Sequence, residues 1–136
     1  MSILVVGESC NDIFHYGLCN RLCPEAPVPV FNSSKIVKNG GMAMNVYNNL
    51  SSLGSNVEIY TNTNWKNIDL QQYDAVIVSD YNKGFMSESD INYISKNSKL
   101  SFLDTKKKLG SWCNYFSFIK INHLEYERTK STITDK

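Results

Sequence analysis

Apolar and polar positions along this chain fall into blocks that switch between strand-like runs and helical spacing. Ile3-Leu4-Val5-Val6 is an unbroken apolar run ending at Gly7, which predicts a buried first strand. Met42, Val46, Leu50 and Leu53 recur at helical spacing, with Ala43 and Tyr47 beside them and Gly54 next as a C′ glycine. That pattern predicts a helix from Met42 to Leu53. Further strands are expected at Val57 to Tyr60, Ala75 to Val78, Leu100 to Leu103 and Phe118 to Ile121. Ser87 offers an N-cap, with Asp90 three residues later and Ile91 and Ile94 on one face of a short helix. Strand alternating with helix predicts an α/β fold, a mainly parallel sheet flanked by helices.

Two segments break the pattern. From Cys23 to Lys38, three prolines (Pro24, Pro27 and Pro29) precede Val28, Val30 and Phe31, and Ile36 and Val37 follow Asn32-Ser33-Ser34. Proline cannot donate to a central ladder, so an exposed hairpin with its turn at Asn32-Ser33-Ser34 is expected. Thr61 to Asn67 is polar and aperiodic and reads as a connecting loop. The reading places one domain over residues 1–127, with the hairpin at about 21–38, and a frayed polar tail over 128–136.

Composition narrows the function classes. A length of 136 residues allows one modest domain. A formal charge of +1 and a pI near 7.6 give no field that would hold nucleic acid or an anionic membrane. Lys106-Lys107-Lys108 is the sole basic run and reads as a solvated loop. No apolar stretch is long enough to span a bilayer, and Met1 leads into the first strand with no basic n-region, so a soluble cytoplasmic protein is expected. Cys10, Cys19, Cys23 and Cys113 form no C-x-x-C pair, and Cys19, Cys23 and His15 lack a well-spaced fourth ligand. They read as reduced thiols, and no metal-ligand set is assigned.

The candidate chemistry begins at Gly40-Gly41-Met42-Ala43-Met44-Asn45. A glycine pair at a helix N-terminus lets backbone donors approach a hydroxyl-rich or phosphorylated ligand, and equally makes a tight turn into a core helix. Other polar groups collect after the strands, where ligands bind in open α/β sheets. Asp12 follows the first strand, Asp80 and Lys83 the strand at 75–78, Asp104 and Lys106 the next, and Asn122 and Glu125 the last. Each alone also reads as a surface or capping residue. Their common position at strand ends is what groups them.

Six segments, Gly7 to Asp12, Arg21 to Val30, Gly40 to Asn45, Ser79 to Gly84, Asp104 to Lys106 and Asn122 to Glu125, follow the order found in one family. The chain resembles the ribokinase-like, PfkB-type carbohydrate kinases. Arg21-Leu22-Cys23-Pro24-Glu25-Ala26-Pro27-Val28-Pro29-Val30 looks like the lid of bacterial D-glycero-D-manno-heptose phosphate kinases, which make the ADP-heptose precursor of lipopolysaccharide, and Ser79 to Gly84 supports the same subgroup. The resemblance implies a reduced ribokinase-like fold with a protruding Pro-rich lid. It also implies that Asp12 accepts sugar hydroxyls, that Gly40, Gly41 and Asn45 line the sugar pocket, and that Lys83 and Lys106 pair with phosphate. A carboxylate suits the first task, because it accepts several charge-assisted O–H bonds at once. Asn122-His123-Leu124-Glu125 matches the family's N-x-x-E motif, which arranges magnesium and the phosphates of ATP. Helix capping at a strand-to-helix junction is the competing reading of that pair.

The resemblance also defines departures. No Gly-Ala-Gly-Asp, the family's source of catalytic base and anion hole, occurs in the chain, so no catalytic residue is assigned. The chain stops about where the nucleotide-binding half is expected, and Tyr60 to Tyr73 replaces a much longer stretch. Glu8 stands where Asp is usual, and Thr105 lies within what is usually Asp-Pro-Lys. The sequence therefore supports the sugar-binding half of a kinase completed by a separately encoded C-terminal half or a partner subunit. The alternatives are a non-catalytic sugar-phosphate-binding or dimerisation module, either a homodimer through the lid hairpin or a decoy subunit that pairs through it with a full-length kinase, and a decayed gene product.

Overall fold

The computed structural model of the chain describes residues 1–133, with side chains described through Lys130. In chain order the elements are β1 (Ser2–Gly7), β2 (Ser9–Leu22), β3 (Pro29–Met42), α1 (Ala43–Ser52), β4 (Asn56–Tyr60), β5 (Ala75–Asp80), α2 (Glu88–Asn97), β6 (Ser101–Thr105), β7 (Phe118–Lys120) and α3 (His123–Ile133). Five strands form a parallel sheet in the order β4-β1-β5-β6-β7, and β2 pairs with β3 as a separate antiparallel ribbon. The molecule is an α/β protein with the architecture of a reduced ribokinase-like fold.

The apolar runs are continuous because β1 and β5 are buried on both faces. One face of the sheet presents Leu4, Val6, Val76, Val78 and Leu103 to Ile91 and Ile94 of α2 and to Trp65, Leu70 and Tyr73. Ile91 and Ile94 are fully buried, which contributes roughly 1.5–3 kcal/mol for each side chain. α2 starts where the sequence places it: the Ser87 hydroxyl accepts the Asp90 N–H, and the Asp90 carboxylate accepts the Ser87 N–H in return. On the other face, α1 packs against β1, β4 and β5. The last residue of β1 must be glycine, because a Cβ on Gly7 would lie 2.1 Å from the Ser79 carbonyl oxygen on the neighbouring strand.

Several expectations need correction. The hairpin is much longer than residues 21–38, running from Ser9 to Met42, and its turn falls at the proline segment between Leu22 and Pro29. Asn32-Ser33-Ser34 lies inside β3, beside a register shift opposite Tyr16 and Gly17. The polar segment Thr61 to Asn67 contains a 3₁₀ turn over Thr63–Asn67 that carries the buried Trp65 into the core, so one aromatic residue anchors a stretch whose other residues look like loop. α3 runs through residues 128–133, while residues 134–136 of the tail lie outside the described residues. No helix among the described residues is long and apolar enough to cross a membrane.

Candidate functional site

The sequence-predicted site residues fall at the carboxyl end of the parallel sheet, on the ribbon that springs from it, or in the first turn of a following helix, α1 for Asn45 and α3 for Glu125. Gly40 and Gly41 occupy the end of β3 rather than the first turn of a helix, and neither takes a positive φ. The left-handed residue is Met42, the N-cap of α1, at φ 55°. The glycines act through their missing side chains. A Cβ on Gly41 would lie 2.5 Å from Asp12 Oδ2 and 2.7 Å from Cys10 Sγ, so the Asp12 carboxylate lies across a bare stretch of backbone. A Cβ on Gly40 would lie 2.2 Å from Met44 Cγ.

Asp12 is paired in register with Asn39, and Cys10 with Gly41, which puts the carboxylate and the thiol on one face of the ribbon at its base. The Cys10 thiol donates to Asp12 Oδ1 at 3.5 Å. Desolvation, and then the Asp12 carboxylate beside it, push the Cys10 thiol above its ordinary value, so it stays protonated and remains a donor. Asp12 itself is exposed, and so is Asn45 in the first turn of α1. Met42 gives α1 no side-chain cap, and the Ala43 N–H donates to the Glu8 carbonyl at 2.9 Å.

Lys106, Asn122 and Glu125 form a second group. Asn122 caps α3: its Oδ1 accepts the Glu125 N–H at 2.9 Å, and Glu125 Oε2 accepts the Asn122 N–H at 2.7 Å. Glu125 Oε1 accepts Asn122 Nδ2 at 2.9 Å and Lys106 Nζ at 2.5 Å. Burial pushes the Glu125 carboxyl up, but the Lys106 ammonium and the Asn122 N–H outweigh it, and the net shift is below the usual carboxylate value. The Glu125 carboxylate holds Lys106 above its usual value. This arrangement is a capping box tied to β6 by an ion pair. It does not fit a magnesium ligand set, because the Glu125 carboxylate is only 5% exposed and faces an ammonium that a divalent cation would have to displace. Among the described residues, no group of three His, Cys, Asp or Glu side chains is placed to hold a metal.

The basic run is not uniformly solvated. Lys107 Nζ pairs with Asp80 Oδ1 at 2.8 Å, where the Asp80 side chain is wholly buried, and Asp80 Oδ2 accepts the Thr105 hydroxyl at 2.6 Å. The solvated-loop reading therefore fails at Lys107 and holds at Lys108, which is exposed. Asp104 pairs with Lys120 at 3.0 Å, and Lys106 lies 5.6 Å from the Tyr81 ring centre.

Sequence reasoning passed over Glu8 except as a departure from Asp. Its buried carboxylate accepts the N–H groups of Tyr81 and Lys83, each at 2.6 Å, and joins the base of the ribbon to the loop after β5. A carboxylate directly after a strand-ending glycine was the available signal. Lys83 thus enters the arrangement through its backbone, and its side chain is exposed. A chain of contacts runs across the carboxyl end of the sheet, from Glu8 through the Tyr81–Lys83 loop to Lys106, Glu125 and Asn122.

Comparison with known proteins adds a relationship to this geometry. No protein-family profile matches the chain. Bifunctional protein HldE of Helicobacter pylori strain G27 is 28% identical over 193 aligned positions, covering 92% of this chain and 42% of that protein. The chain is similar to bifunctional HldE proteins. HldE of strain J99 gives 28% identity over 194 positions, 93% of this chain and 42% of that protein. HldE of Helicobacter acinonychis is 49% identical over a shorter stretch of 55 residues, 40% of this chain and 12% of that protein. The chain spans less than half the length of the HldE proteins it matches along most of its own length. The G27 alignment is longer than the 136 residues of this chain, so that HldE carries internal residues with no counterpart here.

Proposed function

We propose that this chain is the sugar-binding half of a PfkB-type heptose phosphate kinase acting in ADP-heptose biosynthesis in the cytoplasm. The observation that carries the reading is the Asp12 carboxylate, exposed at the base of the ribbon and lying across Gly41 with its second oxygen held by Cys10. Such a group accepts two sugar hydroxyls, while the exposed Asn45 in the first turn of α1 offers both a donor and an acceptor. Lys83, on the loop that Glu8 holds, supplies the charge for a phosphate group. Lys106 is already neutralised by Glu125, which ranks it behind Lys83 as a phosphate ligand. Similarity to HldE along most of the chain supports the same assignment.

Phosphoryl transfer from ATP needs a base and an anion hole, and the chain carries no Gly-Ala-Gly-Asp to supply them. Catalysis therefore belongs to this chain together with a C-terminal half bearing that motif. Phosphate transfer from ATP to heptose phosphate is measured with this chain alone and with such a half added. Transfer only in the mixture supports the proposal, and none in either contradicts it.

A second reading is favoured by the ribbon itself. Ile13, Leu18, Leu22, Val28 and Ile36 are each more than half exposed on it, a concentration of apolar surface that suits pairing with a second copy. In that reading the chain is a non-catalytic sugar-phosphate binder that dimerises through the hairpin. A monomer by sedimentation at high protein concentration contradicts it.

A further inference from the structure

Glu8 is a buried acidic residue that sugar binding does not itself use. It is 8% exposed, and its carboxylate accepts from backbone N–H groups. Oε2 accepts from Tyr81 at 2.6 Å, and Oε1 from Lys83 at 2.6 Å and Phe85 at 3.3 Å. Three alternate N–H groups converge on one carboxylate because Asn82 at φ 57° and Gly84 at φ 94° turn the intervening peptide units away. This is an anion nest, with a side chain of the same protein as the anion. Glu8 also accepts the Ala43 N–H on its carbonyl and leads directly into β2, so one residue joins the start of α1, the base of the ribbon and the Lys83 loop.

We propose that Glu8 is a positioning residue that fixes the Lys83 ammonium relative to a ligand held at Asp12, and so gives the site its preference for a phosphorylated sugar. The inference rests on the sugar-phosphate reading above. An exposed lysine on an unrestrained loop loses much of its binding contribution to the cost of ordering loop and side chain, and the nest removes the loop part of that cost. Glutamine at position 8 would turn an amide NH₂ toward backbone donors and discard the charge that strengthens these bonds.

The test measures the affinity of the full chain for D-glycero-D-manno-heptose phosphate and for the unphosphorylated heptose. It uses the unaltered protein, Glu8→Gln, Gly84→Ala and Lys83→Ala. Gly84→Ala serves as a second disturbance of the nest, since its methyl meets nothing within 4 Å but the backbone there is left-handed. The expected result is that all three variants lose about tenfold in affinity for the phosphorylated sugar and keep their affinity for the free one. Glu8→Gln combined with Lys83→Ala should lose no more than Lys83→Ala alone. A merely structural role for Glu8 would weaken both sugars together. If Glu8→Gln and Gly84→Ala keep the unaltered preference, or weaken both sugars equally, the inference is overturned while the sugar reading stands. If the unaltered chain binds neither sugar, the sugar reading falls and the inference with it.

Discussion

The Asp12 carboxylate fills the space that a side chain on residue 41 would occupy, with Oδ2 only 2.5 Å from the position of a Cβ on Gly41. The glycine is thus needed for the placement of an acid 29 residues earlier on the paired strand, more than for any unusual backbone angle of its own. Gly41→Ala is expected to swing the Asp12 side chain away, a cheap movement for an exposed carboxylate. Folding stability should change by less than about 1 kcal/mol, while affinity for heptose phosphate falls at least about tenfold. Thermal melting paired with calorimetry separates the two effects; a large loss of stability with affinity retained would contradict the assignment.

Lys107 and Lys108 are neighbours with opposite environments. Removing Lys107 leaves the buried Asp80 carboxylate without its cation, so Lys107→Ala should cost about 3–5 kcal/mol. Lys108→Ala should stay within about 0.5 kcal/mol. Urea unfolding of the two variants checks this, and equal stabilities would contradict the pairing.

Stability should depend on pH through Glu125. Its carboxyl titrates below the ordinary 4.5, so its contribution is complete above that value and is lost as pH falls through the lowered one. The partner Lys106 titrates above 10.5, so the same pair persists up to that pH and is lost only as pH rises through the raised value. Urea midpoints measured from about pH 6 down to about pH 3 should fall less steeply in Glu125→Gln than in the unaltered chain. Parallel curves would contradict the role given to Glu125.

The sheet was legible because its strands are short apolar runs between turn residues, and Val57 to Tyr60 and Ala75 to Val78 lie within the observed β4 and β5. α1 and the Ser87 cap were legible for the same local reasons. The full ribbon was not. β2 carries Asn11, Asp12, Asn20 and Arg21 among its apolar residues and is solvated on most of its length, so no burial pattern marks it. Trp65 was hidden by polar neighbours, and α3 by a polar sequence whose helical start is set by the Asn122 and Glu125 cap. At the site, the strand-end positions were legible, but the partners were not. Whether Lys106 or Lys107 meets Asp80, and that Glu8 binds backbone, are settled by register between strands distant in sequence.

The central claim is that Asp12 on its glycine bed binds the sugar. Titration calorimetry of heptose phosphate into the unaltered chain and into Asp12→Ala tests it most directly. The account predicts saturable binding by the unaltered chain and its loss in Asp12→Ala, with the variant still folded. Equal binding by both, or none by the unaltered chain, would contradict it.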